Sequence, residues 1–127
     1  MRHDMSKPRP LSPHLQIYKP QLTSILSICH RATGVVLAAG TGLVCLWLIA
    51  LALGENSFAI ATMIIQHPLG QFVLFGYSVV LFYHASNGVR HLTWDMGFGL
   101  EIPHVYATGR IVLAATVILT GIFWFLM

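Results

Sequence analysis

The stretch "SILSICHRATG", Ser24 to Gly34, holds a serine, a histidine and an arginine inside an otherwise apolar run. On a helix Ser27 and Arg31 are four apart and share one face with Gly34, with His30 beside it. A serine hydroxyl offers a neutral hydrogen bond, and a guanidinium offers a fixed cation. Together they suit a carbonyl oxygen that gains negative charge as it is reduced. The plainer use of Arg31 is to snorkel to lipid phosphate. A second cluster lies in "FYHASNGVRHLTWDMG". His84 sits about two turns inside an apolar run. An imidazole there can be interhelical glue, or it can be an axial ligand of haem iron. Gly88, one turn on, would leave room for a flat macrocycle. His91 lies on the same face near the interface, and Arg90 at that level can meet a propionate. His3, His14, His67 and His104 read as loop or interface residues, so a bis-histidine haem would need its second ligand from another chain. An Arg/His pair in a membrane also suits a proton or ion relay, as in a small transport or assembly protein.

These side chains need elements to hold them. The chain has 127 residues, of which 56% are hydrophobic and 9% charged. Soluble domains carry roughly 25% charged residues, so this chain lacks the polar groups to cover a soluble surface. Continuous apolar runs at about 24–53, 69–92 and 105–127 each reach the ~20 residues that a helix needs to cross the hydrocarbon. Helix is the form that satisfies the backbone in lipid, and the runs lack the alternation of a β-barrel. The reading is therefore an all-α integral membrane protein, with an N-terminal segment 1–21 and a three-helix domain 22–127. Thr23 or Ser24 is the expected cap of the first helix. "GENSFAIATMIIQHP" is read as the loop after the first span, and "DMGFGLEIPH" as a Gly-rich turn before the third.

Net charge is +3, and its placement carries more than its size. Arg2, Lys7, Arg9 and Lys19 precede the first span, and Arg31 lies in its opening turns. The first connecting loop has no Lys or Arg, whereas Arg90 and Arg110 flank the second connection. The positive-inside rule then puts the N-terminus in the cytoplasm and the C-terminus in the periplasm. The basic lead "MRHDMSKPRPLSPHLQIYKP" is no nucleic-acid arm, because its charges are scattered among prolines beside a span. It has no apolar core of a cleavable signal either. Cys29 and Cys45 are about 24 Å apart on one helix at ~1.5 Å per residue, too far to bridge. Gly34, Ala38 and Gly42 form a small-residue stripe that packs a helix of this chain or of another subunit.

With these residues in place, the sequence closely resembles the cytochrome b subunit of succinate dehydrogenase, the larger of two membrane anchors of respiratory complex II. The resemblance spans essentially the whole chain. It rests on the lead "RPLSPHLQIYKP", the motif "SxxHRxTG" and the motif "HxxxGVRHLxWDxG", in that order. The wording of the lead is most similar to the alphaproteobacterial and mitochondrial branch. The resemblance implies that His84 is an axial ligand of haem b, with the second ligand supplied by the smaller hydrophobic anchor. It implies that Ser27 and Arg31 line a ubiquinone site, and that His30, Arg31 and His91 lie near the haem propionates. Asp95 would stand near the polar entrance of the quinone pocket. The chain would have no succinate or flavin site of its own. It would dock a flavoprotein subunit and an iron–sulfur subunit at a bacterial inner membrane and pass their electrons to ubiquinone. An anchor of a quinol:fumarate reductase is the related alternative.

Overall fold

A computed structural model describes residues 19–127. The proline-rich lead through residue 18, with Arg2, Lys7 and Arg9, lies outside the described residues. Four helices follow in chain order: α1 (Leu22–Ala52), α2 (Glu55–Gln66), α3 (Pro68–Asp95) and α4 (Ile102–Leu126). Helices α1, α3 and α4 are long and apolar enough to cross a membrane. They correspond to the three expected spans, each begun a residue or more earlier. The described residues are thus those of an all-α protein with three membrane-crossing helices.

Two local expectations are corrected. Helix α1 is not capped by Thr23 or Ser24. Its N-cap is Gln21, which makes no side-chain cap bond. Its backbone oxygen accepts from Ile25 N at 3.0 Å. Leu22 packs with Leu26 against the core, which draws the helix start ahead of both hydroxyl residues. The stretch read as a loop is largely helix α2. Gly54, at φ 108°, breaks the chain after α1. Glu55 then sits in the first turn of α2, where a negative charge suits the helix dipole. No Gly or Pro interrupts the chain until Pro68, and His67 before it takes the extended ψ of 143° that proline imposes. The far end of α2 is tied to α3, since Gln71 Nε2 donates to Ile65 O at 2.9 Å.

Helix α3 is the centre of the bundle and touches each of the other three. It runs antiparallel to α1, pairing Asn87 with Leu26 near one end and Tyr77 with Leu37 towards the other. It runs antiparallel to α4 as well, pairing Arg90 with Thr108 and Ser78 with Trp124. The turn between them uses Gly97 and Gly99 at φ 83° and 71°, a region that costs other residues strain. Apolar burial is slight. Leu26, Tyr83 and Val112 are the buried hydrophobic residues among those described. Most Leu, Ile, Val and Phe side chains face outward, as lipid or further helices require. Gly40 is buried where a methyl group would overlap the Tyr77 ring.

The buried polar residues of α3, Ser78, Asn87 and Arg90, are all hydrogen-bonded. Asn87 is 0% exposed and Arg90 4%. Tyr83 Oη donates to Leu26 O at 2.7 Å, and Asn87 Nδ2 donates to the same oxygen at 3.3 Å. The Arg90 guanidinium divides its donors among Asn87 Oδ1 at 3.3 Å, Thr108 Oγ1 at 3.1 Å and Val105 O at 3.0 Å. Its face lies 4.0 Å above the Trp94 ring centre. Arg90, which its level on the helix offered to a propionate, is thus anchored within the bundle by three of its five N–H groups. Two of these bonds join α3 to α4. Gly109 makes that junction possible, because a Cβ there would come within 2.9 Å of Leu26 Cδ1 and 3.8 Å of Arg90 Nη2.

A lysine cannot reproduce this junction, since one ammonium cannot span three acceptors set around a planar fork. Arg90→Lys is expected to leave buried acceptors unpaired and to cost about 1–3 kcal/mol. Thermal unfolding of the assembled complex in detergent checks this. A midpoint equal to wild type would mean that the fork contributes nothing to the bundle.

Candidate functional site

The side chains singled out from the sequence collect at one end of the bundle, where α1 begins and α3 ends. Two arrangements adjoin there. The first is a row of imidazoles. His30 of α1 and His84 of α3 stack face to face, ring centres 4.0 Å apart and planes within 14°. His91 follows at 5.0 Å from His30, and Trp94 stands edge-on to His91 at 5.1 Å. His84 and His91 lie two turns apart on α3, and the pairing with α1 sets His30 between them.

The protonation of His84 follows from its partners. Nδ1 lies 3.1 Å from His30 O, a carbonyl that can only accept. It also lies 3.1 Å from Thr33 Oγ1. The Thr33 proton is directed along α1, to Cys29 O at 2.8 Å and His30 O at 2.9 Å, so Thr33 presents a lone pair to the ring. Nδ1 is therefore the donor, which leaves Nε2 as the nitrogen that can offer a lone pair. That is the form in which an imidazole binds a metal, with the second nitrogen anchored to protein. Gly34 admits the ring, because a Cβ there would lie 3.2 Å from His84 Cε1. At Gly88 an added Cβ would meet His30 Cε1 at 3.8 Å, an ordinary contact, so Gly88 borders His30 rather than His84. His30 Nδ1 is buried with no hydrogen-bond partner.

The second arrangement is an open groove of about 430 Å³ between α1 and α3. Thr23, Ser24, Ser27, Ile28 and Arg31 line it from α1, and Arg90, His91 and Trp94 line it from α3. Ser27 and Arg31 thus share the groove that the helical spacing assigned to them, and His91 joins it to the imidazole row. Arg31 is exposed, and no ion pair or hydrogen bond occupies it among the described residues. The walls offer hydroxyls, an imidazole and two guanidinium groups with no carboxylate. They suit a ligand that presents acceptor oxygens. Asp95 is the last residue of α3 and is exposed, and it is not part of this lining. A larger hollow of about 570 Å³ runs along α2 at the opposite end, by Phe58, Thr62 and Met63. It contains none of the predicted site residues.

Several contributors were missed from the sequence. Thr33, Tyr83, Asn87 and Trp94 all make contacts here that motif spacing did not assign. The signal for the α3 group was present, since Tyr83, Asn87 and Arg90 recur at intervals of four and three along an apolar span. Such spacing marks one polar face of a helix.

A family described as succinate dehydrogenase/fumarate reductase transmembrane subunit matches residues 5–123. The chain is 41% identical over 111 residues to the succinate dehydrogenase cytochrome b556 subunit of Paracoccus denitrificans, covering 87% of this chain and 85% of the relative. The cytochrome b556 subunit of Rickettsia prowazekii is 39% identical over 124 residues, covering 98% and 97%. The human mitochondrial cytochrome b560 subunit is 42% identical over 114 residues, covering 87% of this chain and 66% of the relative. Three membrane-crossing helices and these relatives make it a multi-pass inner-membrane protein. From the match over nearly its full length, the chain belongs to the succinate dehydrogenase/fumarate reductase transmembrane subunit family.

Proposed function

We propose that this chain is the cytochrome b anchor of a succinate dehydrogenase, binding haem b through His84 and forming one wall of a ubiquinone-reduction site with Ser27 and Arg31. The observation that carries the reading is the adjacency of two features. An imidazole with its Nε2 free for iron lies one ring from a groove that holds Ser27, Arg31 and His91 together.

The residues present fit a haem. His84 is held in the ligating tautomer, and His30, Arg31 and His91 stand around it near the groove, where propionates need donors and cations. The stacked pair also supports sharing of the group. The 4.0 Å gap between the stacked His30 and His84 rings admits nothing between them, so these two would not hold the group together. The family resemblance then implies a smaller hydrophobic anchor subunit as the source of the second ligand. When bound, haem b supplies a one-electron carrier beside the quinone site.

At the groove, Ser27 donates its hydroxyl proton to a quinone carbonyl. Arg31 holds positive charge where that oxygen becomes negative, and such fixed charge lowers the cost of reduction. Trp94, held beneath Arg90, gives the groove a flat apolar wall. Asp95, at the exposed end of α3, stands one residue beyond that wall, at the polar entrance. Docking of an iron–sulfur subunit over this end, with its flavoprotein partner, brings the electrons of succinate to the groove. The anchor of a quinol:fumarate reductase uses the same constellation in the reverse direction.

Losing a hydrogen bond to a charge-developing group costs roughly 1.5–3 kcal/mol, and each 1.36 kcal/mol is about tenfold in rate. Ser27→Ala or Arg31→Leu is expected to slow succinate:ubiquinone reduction about ten- to a hundredfold. Succinate oxidation with a soluble artificial acceptor should stay near normal. Both activities are measured on complexes with full subunit content. An equal fall in both would make the residue structural, and no fall in either would remove it from the quinone site. For the ligand, His84→Leu is expected to lower haem content or alter the low-spin reduced-minus-oxidised spectrum. A spectrum and haem content identical to wild type would place the ligand on another residue.

A further inference from the structure

We infer that Thr33 is a positioning residue that tunes the iron ligand, by accepting from His84 Nδ1–H and so setting how strongly Nε2 donates. The inference rests on the proposed role of His84 as an axial ligand. It goes beyond that role in giving the oxidation–reduction balance of the site a second determinant on α1.

Three neighbours within two adjoining turns of α1, His30, Thr33 and Gly34, hold the His84 ring. The His30 ring fixes its plane by stacking at 4.0 Å. Gly34 leaves space for its Cε1 edge. The rotation about the ring axis and the tautomer are fixed at Nδ1, 3.1 Å from both His30 O and Thr33 Oγ1. Turning the ring over would put a carbon against both acceptors and forfeit both bonds. Of the two acceptors, the carbonyl belongs to the backbone and Thr33 Oγ1 to a side chain. The hydroxyl cannot reverse its role cheaply, because its one proton is committed to the helix carbonyls of Cys29 and His30 at 2.8 and 2.9 Å.

An acceptor on the far nitrogen pulls the N–H proton and leaves the ring a more basic ligand. A more basic ligand favours the oxidised, more positive iron. Hydrogen bonding beyond the ligand is one of the protein's levers on haem potential. Thr33 thus holds the midpoint potential below the value that the His30 carbonyl alone would set.

The test is a potentiometric titration of the haem in the assembled membrane complex, followed by absorbance. Wild type is compared with Thr33→Val, Thr33→Ala and Thr33→Ser, and His84→Leu is examined for its spectrum. A whole hydrogen bond is worth about 0.5–1.5 kcal/mol. Removing one of two acceptors forfeits about half of that and should raise the ratio of reduced to oxidised haem at a fixed poise roughly 1.5- to 3.5-fold. Valine and alanine should raise the midpoint alike, and serine should keep it at the wild-type value. If valine crowds the site and blocks assembly, alanine decides alone. An unchanged midpoint in the valine and alanine variants, at full haem content, overturns the inference. A serine variant that shifts as far as valine also overturns it, because the methyl group and not the oxygen would then be responsible. The two levels separate cleanly. An unaltered His84→Leu spectrum sinks the ligand assignment and Thr33 with it. An altered His84→Leu spectrum with unmoved Thr33 variants sinks only Thr33.

Discussion

The bundle depends on one constraint: α3 carries a cation and an amide through an apolar slab, and both must be satisfied by protein. Unpaired polar groups in hydrocarbon cost several kcal/mol each. Asn87 and Arg90, the most deeply buried polar groups on this helix, answer it by bonding to backbone and side-chain oxygens of α1 and α4. Leu26 O is the pivot on α1. It receives both Tyr83 Oη and Asn87 Nδ2 in addition to its place in the helix. Apolar burial adds little specificity here, since only Leu26, Tyr83 and Val112 are buried hydrophobics among the described residues. Hydrogen-bond geometry, not oil-like packing, sets the rotation of each helix about its axis.

That rotation has functional consequences. With Leu26 turned into α3, Ser27 and Arg31 are swung to the side, into the groove. His30 is carried over His84 and its carbonyl meets Nδ1. A helix turned by one residue position, about 100° at 3.6 residues per turn, would aim Arg31 at the core and leave His84 without its anchor. The two arginines are therefore held differently. Arg90 is tied into the bundle through three of its N–H groups, while Arg31 is exposed in the groove with no hydrogen bond or ion pair among the described residues. A sequence shows two arginines near a membrane interface, but only the packing tells which one is available.

The outward faces carry the other half of the design. Ile28, Val35, Leu43 and Leu46 on α1, and Ile111, Val117 and Ile118 on α4, are all exposed. For a family of membrane subunits these faces meet lipid or neighbouring helices. Of the small-residue stripe, Gly34 serves this chain by receiving the His84 ring, whereas Gly42 has nothing near its Cβ direction. The close helix approach within the chain is made instead at Gly40 and Gly109, which sit against Tyr77 and Leu26. Spacing alone selected the stripe as a packing face and left open whether this chain or another subunit meets it; within this chain Gly34 is met and Gly42 is not.

The sequence by itself determined the class of the protein and the place of its chemistry. Twenty-residue apolar runs leave no stable alternative to spanning helices, so α1, α3 and α4 were legible to within a few residues. Polar residues inside such runs are too costly to be incidental, so Ser27, His30, Arg31, His84 and His91 could be named as a group. Helix α2 escaped because its short apolar stretch follows a Gly-marked break and fell below the length of a span; its form comes from docking against α1 and α3. The cap of α1 escaped because Leu22 packing, not a side-chain oxygen, decides where the helix starts. The rest was decided by tertiary structure alone. The fate of Arg90, the tautomer of His84 and the task of Thr33 each depend on which oxygen of a neighbouring helix lies about 3 Å away. Hydrogen bonds discriminate on that scale, and residue spacing along one helix does not specify the distance to another.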